Sequence, residues 1–125
     1  MTDSLDRLYD AVLAAKGSDP VVSRTARLLR AGRAKIAKKL AEEAIEVVID
    51  AMHGDRDSVV RESADLLYNL VVVWAVSGIR PADVWKEMNR REQRFGIAEK
   101  LLKRDMALKR PKVTSLSDRR VRGRR

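Results

Sequence analysis

KIAKKLAEEAIEVVIDA at residues 35–51 and ESADLLYNLVVVW at residues 62–74 decide the fold. In the first stretch Ile36, Leu40, Ala44, Val47 and Val48 recur at a helical period, which predicts an amphipathic helix over residues 35–52. In the second, Val59, Val60, Leu66, Leu67, Leu70, Val71, Val73 and Trp74 mark a helix over residues 57–76. Its run from Leu70 to Trp74 is apolar all round, so this helix is expected to lie centrally. His53-Gly54-Asp55 stops the first helix. A link that short makes the two helices antiparallel neighbours.

Outward from this pair the chain continues in helices. Leu5, Leu8, Val12 and Leu13 define a first helix, capped by Thr2, Asp3 or Ser4 and ended by Gly17. Gly17-Ser18-Asp19-Pro20 reads as a turn. A short helix over residues 25–30 ends near Gly32. After the break Ser77-Gly78-Ile79-Arg80-Pro81, Pro81 suits the first turn of a helix over residues 81–94. That helix would turn Val84, Trp85 and Met88 inward and stop at Gly96. A last short helix is expected over residues 98–108. Residues 112–125 have few apolar side chains and are expected to be disordered. No stretch alternates with a period of two, and no internal repeat occurs. The expected architecture is an all-α antiparallel helical bundle: one domain over residues 1–108, followed by a basic tail over residues 109–125.

Composition narrows the function. The 125 residues carry a net charge of +9. Residues 103–125 hold ten Lys/Arg and two Asp, which leaves 17 basic and 16 acidic groups in residues 1–102. The body is therefore nearly neutral and the tail basic, so nucleic-acid binding would be weak and confined to the tail. With no cysteine and only His53, disulfides, thiolate sites and multi-histidine zinc sites within the chain are excluded. No apolar run approaches the length of a membrane span, and the N-terminus lacks the pattern of a signal peptide. A cytoplasmic protein with no membrane partner is expected.

The acidic residues are patterned. On the first long helix, with Glu42 at zero, Glu46 lies at about 40° and Glu43 at about 100°. On the second, Glu62 and Asp65 are about 60° apart. Antiparallel packing lets the two acidic faces meet. Converging like charges destabilise helices unless a cation lies between them, and Mg²⁺ suits carboxylate sites shared with phosphates. The plainer alternative is a solvated acidic face paired with Lys38, Lys39 or Arg61. Asp65 favours the metal. It sits in an apolar context, is expected to be at least partly buried, and then needs a partner.

E-E-x-x-E followed by E-x-x-D on antiparallel helices resembles the signature of the all-α nucleoside triphosphate pyrophosphohydrolases, the MazG-like superfamily. Within it, KIAKKLAEEAIEVVIDA, ESADLLYNLVVV, GIAEKLLKR and SRTARLLRAG most resemble the phosphoribosyl-ATP pyrophosphohydrolases of histidine biosynthesis, over roughly residues 5–104. The resemblance implies Mg²⁺-dependent hydrolysis of phosphoribosyl-ATP to phosphoribosyl-AMP and pyrophosphate, by in-line attack of a water held by metal or carboxylate. It also implies a helical bundle completed by a homodimer. Glu43, Glu46, Glu62 and Asp65 are the expected metal ligands. Glu42 is a further ligand or the water-orienting base, and Glu43 is counted with it as a catalytic candidate. The family usually has Tyr at Arg24, Gly at Ala41, His at Asn69 and Ser at Phe95. None of these is a motif carboxylate. They keep open a second enzyme, a house-cleaning triphosphate pyrophosphohydrolase. A reading of another class is a basic-tailed helical nucleic-acid-binding protein.

Several other residues carry two readings. Lys38 and Lys39 either pair along the helix surface or reach substrate phosphates. Arg90, Arg91 and Lys100 either neutralise the triphosphate or are solvated. Asn69, one turn after Asp65, orients a carboxylate, touches substrate or makes a buried hydrogen bond. His53 is expected to cap its helix, and Trp74, Trp85 and Met88 to lie in the core.

Overall fold

A computed structural model describes residues 3–109, and among these there are five helices and no strand. They are α1 (Ser4–Ala15), α2 (Arg24–Ala31), α3 (Arg33–Met52), α4 (Arg56–Val76) and α5 (Pro81–Lys109). The all-helical expectation is met, and α3 and α4 are the two long helices of the opening motifs. The expected tail lies outside the described residues except at its first position.

Local chemistry sets the helix ends. Asp3 caps α1 by accepting the Asp6 N–H at 2.8 Å, and Ser23 caps α2 by accepting that of Ala26 at 3.1 Å. Gly32, with φ of 93°, makes the sharp joint between α2 and α3. Gly54, with φ of 70°, closes α3 ahead of Asp55, whose carboxylate accepts the Ser58 N–H and hydroxyl to start α4. The His53 ring bonds the Ile49 carbonyl at 3.0 Å, the capping role expected of it.

The chain divides into two compact units, one up to Trp85 and one from Lys86 onward. In the first, α3 and α4 pack along each other, α1 lies on α4 and α2 on α3. The core is Val12, Ile36, Val71, Val72, Trp74 and Ala75. Four of these six come from α4, three of them from its apolar run, and α4 is the central helix. Full burial of Ile36, Val71 and Val72 contributes roughly 1.5–3 kcal/mol each. Trp85, in the first turns of α5, meets Trp74 edge to face with ring centroids 6.1 Å apart.

Some expected core positions are exposed. Val48 on α3 and Val60 and Leu67 on α4 face outward, together with Ile45, Ile49 and Met52. Leu13 is at the margin. The reason is coverage: α1 and α2 pack on the core ends of α4 and α3, and nothing in this unit lies over the other face of the pair.

The second unit is the rest of α5. The expected stop at Gly96 does not occur, and one helix runs from Pro81 to Lys109. Glycine lowers helix stability by about 1 kcal/mol relative to alanine but does not obstruct the turn. A glycine without a following proline is therefore a weak stop signal. Met88, expected inward, is exposed.

Candidate metal centre

The site grows out of the α3–α4 pairing. Glu43 projects from the middle of α3, and Glu62 and Asp65 from the second and third turns of α4. One carboxylate oxygen from each of the three lies within 4.8 Å of the others. Their surroundings are graded. Glu43 is 5% exposed, Glu62 is half-buried and Asp65 is exposed. The expectation of a buried Asp65 is corrected here. The inward position belongs to Glu43, and Asp65 closes the group on its solvent side.

Electrostatics in the group are strained. Burial opposes ionisation of Glu43, but the Lys39 ammonium and the close Glu62 and Glu46 carboxyls outweigh it, and its pKa falls below the ordinary value. The Lys39 Nζ lies 3.2 Å from Glu43 Oε1. Glu62 moves the other way. The close Glu46 carboxyl, burial and then Glu43 push it up to about 7. Glu46 therefore borders the group through Glu62, although it is itself exposed. Glu42 is exposed and outside the three-carboxylate group.

A cation fits this donor set. Glu43 Oε2 and Glu62 Oε2 are buried and have no hydrogen-bond partner among the described residues. A buried carboxylate oxygen without a partner is costly. Two of them, in an all-oxygen set with a third carboxylate beside them, match the coordination preference of a hard divalent ion.

Other predicted residues fall in several places. Lys39 stands in the group, whereas Lys38 is exposed and makes no ion pair among the described residues. Asn69 is 1% exposed. Its Nδ2 donates to the Asp65 backbone oxygen at 2.8 Å, and its Oδ1 has no partner among the described residues. Arg61 donates to Ser58 Oγ and not to the motif acids. In the second unit, Arg90 grips Glu87 through two bonds of 2.7 and 2.9 Å, and Arg91 Nε adds a third at 3.1 Å. These bonds hold Glu87 down at about 2. The Arg91 charge is thus already matched locally, while Lys100 is exposed.

Sequence reasoning missed one cross-helix contact. Thr25 Oγ1 and the Tyr68 hydroxyl are 2.7 Å apart, tying α2 to α4 one turn beyond Asp65. Neither residue has a pattern that announces the pairing, which joins positions 43 residues apart.

The profile of the family described as phosphoribosyl-ATP pyrophosphohydrolase matches residues 5–92, a span containing both carboxylate motifs. The chain belongs to this family. Relatives agree along most of its length. A protein of Bradyrhizobium diazoefficiens named phosphoribosyl-ATP pyrophosphatase 2 is 69% identical over 115 residues, covering 92% of this chain and 84% of that protein. One of the same name from Rhodopseudomonas palustris is 70% identical over 103 residues, covering 82% and 79%. The phosphoribosyl-ATP pyrophosphatase of Azospirillum brasilense is 55% identical over 96 residues, covering 77% and 86%. The resemblance seen in the two motif helices is therefore borne out. The family match ends at residue 92, ahead of the GIAEKLLKR segment that also suggested it.

Proposed function

We propose that this chain hydrolyses phosphoribosyl-ATP to phosphoribosyl-AMP and pyrophosphate, with Mg²⁺ held by Glu43, Glu46, Glu62 and Asp65. The observation that carries the reading is the convergence of Glu43, Glu62 and Asp65 within 4.8 Å, with two of their oxygens buried and unpartnered. Membership of the phosphoribosyl-ATP pyrophosphohydrolase family supports the substrate. When bound, Mg²⁺ neutralises the negative charge that builds on phosphate oxygens as the α–β bridge breaks.

The chain's own residues do the rest. Lys39 keeps Glu43 ionised and so ready to serve as a ligand. Lys38, exposed one residue away, offers a cation to the phosphates. Glu42 is exposed on the same helix, where it serves as a further ligand or accepts a proton from the attacking water. Pyrophosphate leaves as a unit because the cut lies between the α- and β-phosphates.

A homodimer accompanies this reading. Ile45, Val48, Ile49 and Met52 form an exposed apolar stripe on α3, with Val60 exposed on α4. A stripe of this kind next to a charged site is suited to a second copy. The catalytic domain is placed at residues 1–108, with the basic residues 109–125 outside it. Among the described residues no helix is long and apolar enough to cross a membrane, in keeping with work in the cytoplasm.

A hydrolysis screen with purified protein and Mg²⁺ tests the substrate. Phosphoribosyl-ATP should be turned over far faster than common, deoxy or modified nucleoside triphosphates. Turnover of another triphosphate with none of phosphoribosyl-ATP would place the chain with the house-cleaning enzymes instead.

A further inference from the structure

Arg24 is an exposed cation held in place with no anion to hold. It is the first residue of α2, and its guanidinium carbon lies 5.9 Å from the centre of the Tyr68 ring. That distance is within the range of a cation–π contact. Among the described residues it makes no hydrogen bond and no ion pair, so none of its five N–H donors has an acceptor oxygen. Its neighbour Arg27 differs: it is spent on the Pro20 and Val21 carbonyls at 2.8 and 3.2 Å.

The platform beneath Arg24 is fixed from both sides. Tyr68 belongs to α4, and its hydroxyl is 2.7 Å from Thr25 Oγ1 on α2. In such a pair one hydroxyl donates to the other, and the accepting one keeps its own proton for a further acceptor. A guanidinium and one free O–H donor thus stand together across two helices. Tyr68 follows Asp65 by one turn, about 5 Å along α4. Among the described residues Arg24 pairs with none of the motif carboxylates.

On the proposed reading, on which this inference rests, the substrate is anionic at two ends. The triphosphate goes to the metal and the carboxylates. The 5′-phosphate of the ribose attached to the base is a second, monoester phosphate. The carboxylates repel it, so it needs a cation set apart from them. We propose that Arg24, positioned by the Tyr68 ring and with the Thr25–Tyr68 hydroxyl pair beside it, holds this ribose 5′-phosphate. The family usually has Tyr at this position, so the contact would be particular to this chain, strengthening its hold on phosphoribosyl-ATP relative to a plain triphosphate. Guanidinium donors match phosphate oxygens two at a time, which an ammonium cannot do.

The test is steady-state kinetics on the wild type, Arg24→Gln, Arg24→Lys and Tyr68→Phe, with ribose 5-phosphate as a competing probe. Arg24 is exposed, so its variants should keep the wild-type helical circular dichroism. Arg24→Gln should raise KM for phosphoribosyl-ATP by roughly 10- to 100-fold, the loss expected for hydrogen bonds to a charged group, with kcat within about twofold. Arg24→Lys should fall between, and Tyr68→Phe should raise KM by roughly severalfold. Ribose 5-phosphate should inhibit the wild type competitively and lose this effect in Arg24→Gln. An unchanged KM, or equal inhibition of wild type and Arg24→Gln, overturns the inference while leaving the proposed activity standing. A wild type that does not hydrolyse phosphoribosyl-ATP at all overturns both.

Discussion

Lys39 Nζ lies 3.2 Å from Glu43 Oε1, one helical turn apart on α3, and the glutamate is the most buried acid of the site. The pair puts one positive charge inside a set of negative ones. Lys39 is the largest influence that opposes burial in keeping the Glu43 carboxyl below its ordinary value, whereas Glu62, with no such cation, is pushed up.

Lys39→Ala should therefore destabilise the metal-free protein. Removing one partner leaves a buried carboxylate uncompensated, but Lys39 is partly solvated, so the loss is expected to be about 1–2 kcal/mol. Urea unfolding in chelator measures it. The double variant with Glu43→Gln should recover most of the loss, because no unpaired charge then remains. A single variant as stable as wild type would show the pair to be incidental.

Glu62 gives the metal-free protein a pH dependence. Its carboxyl is pushed up to about 7 from an ordinary 4.5. A carboxyl raised in the fold favours folding while protonated. Its contribution is full below pH 4.5 and is lost as pH rises through 7. In chelator, Tm should fall between pH 5 and pH 8, and Glu62→Gln should flatten that fall. Mg²⁺ should restore Tm at pH 8. A Glu62→Gln profile parallel to wild type would contradict this.

How much of this was legible in the sequence depends on what each signal was. The α3–α4 pair was readable because a 3.6-residue apolar period and a break at Gly54 are local features. The acidic convergence was readable because i, i+3 and i, i+4 spacings fix angles on a helix. The gradient inside the site was not. Whether Glu43 or Asp65 faces inward depends on how α3 rolls against α4, a rotation that spacing does not specify. Val48 and Val60 were assigned to the core because a period marks an apolar face without saying what covers it. The Thr25–Tyr68 bond joins two common polar residues far apart in sequence and carried no signal.

The apolar stripe predicts an assembly. Light scattering at micromolar concentration should give twice the chain mass of 14.1 kDa. Ile49→Asp, which places a charge in the stripe, should shift the protein to monomer without loss of helix. A wild-type monomer would remove the dimer from the account.

The basic residues past the catalytic domain separate an enzyme from a nucleic-acid binder. Deleting residues 109–125 should leave kcat/KM for phosphoribosyl-ATP within about twofold, since the residues that would hold the metal lie on α3 and α4. It should also abolish any salt-sensitive binding to DNA or RNA. Loss of hydrolysis on deletion would place the tail inside the catalytic unit.

The central claim is that carboxylates of α3 and α4 hold Mg²⁺ for cleavage between the α- and β-phosphates. Pyrophosphate release from phosphoribosyl-ATP, measured with Mg²⁺ for wild type, Glu46→Gln and Asp65→Asn, tests it most directly. Each substitution keeps the shape of the side chain and removes one negative ligand. The account predicts pyrophosphate and phosphoribosyl-AMP from the wild type. It predicts a loss of at least about a hundredfold in each variant, since even groups that only support a ligand are worth about 10- to 100-fold, with helical circular dichroism unchanged. Full activity in both variants, or orthophosphate in place of pyrophosphate, would contradict it.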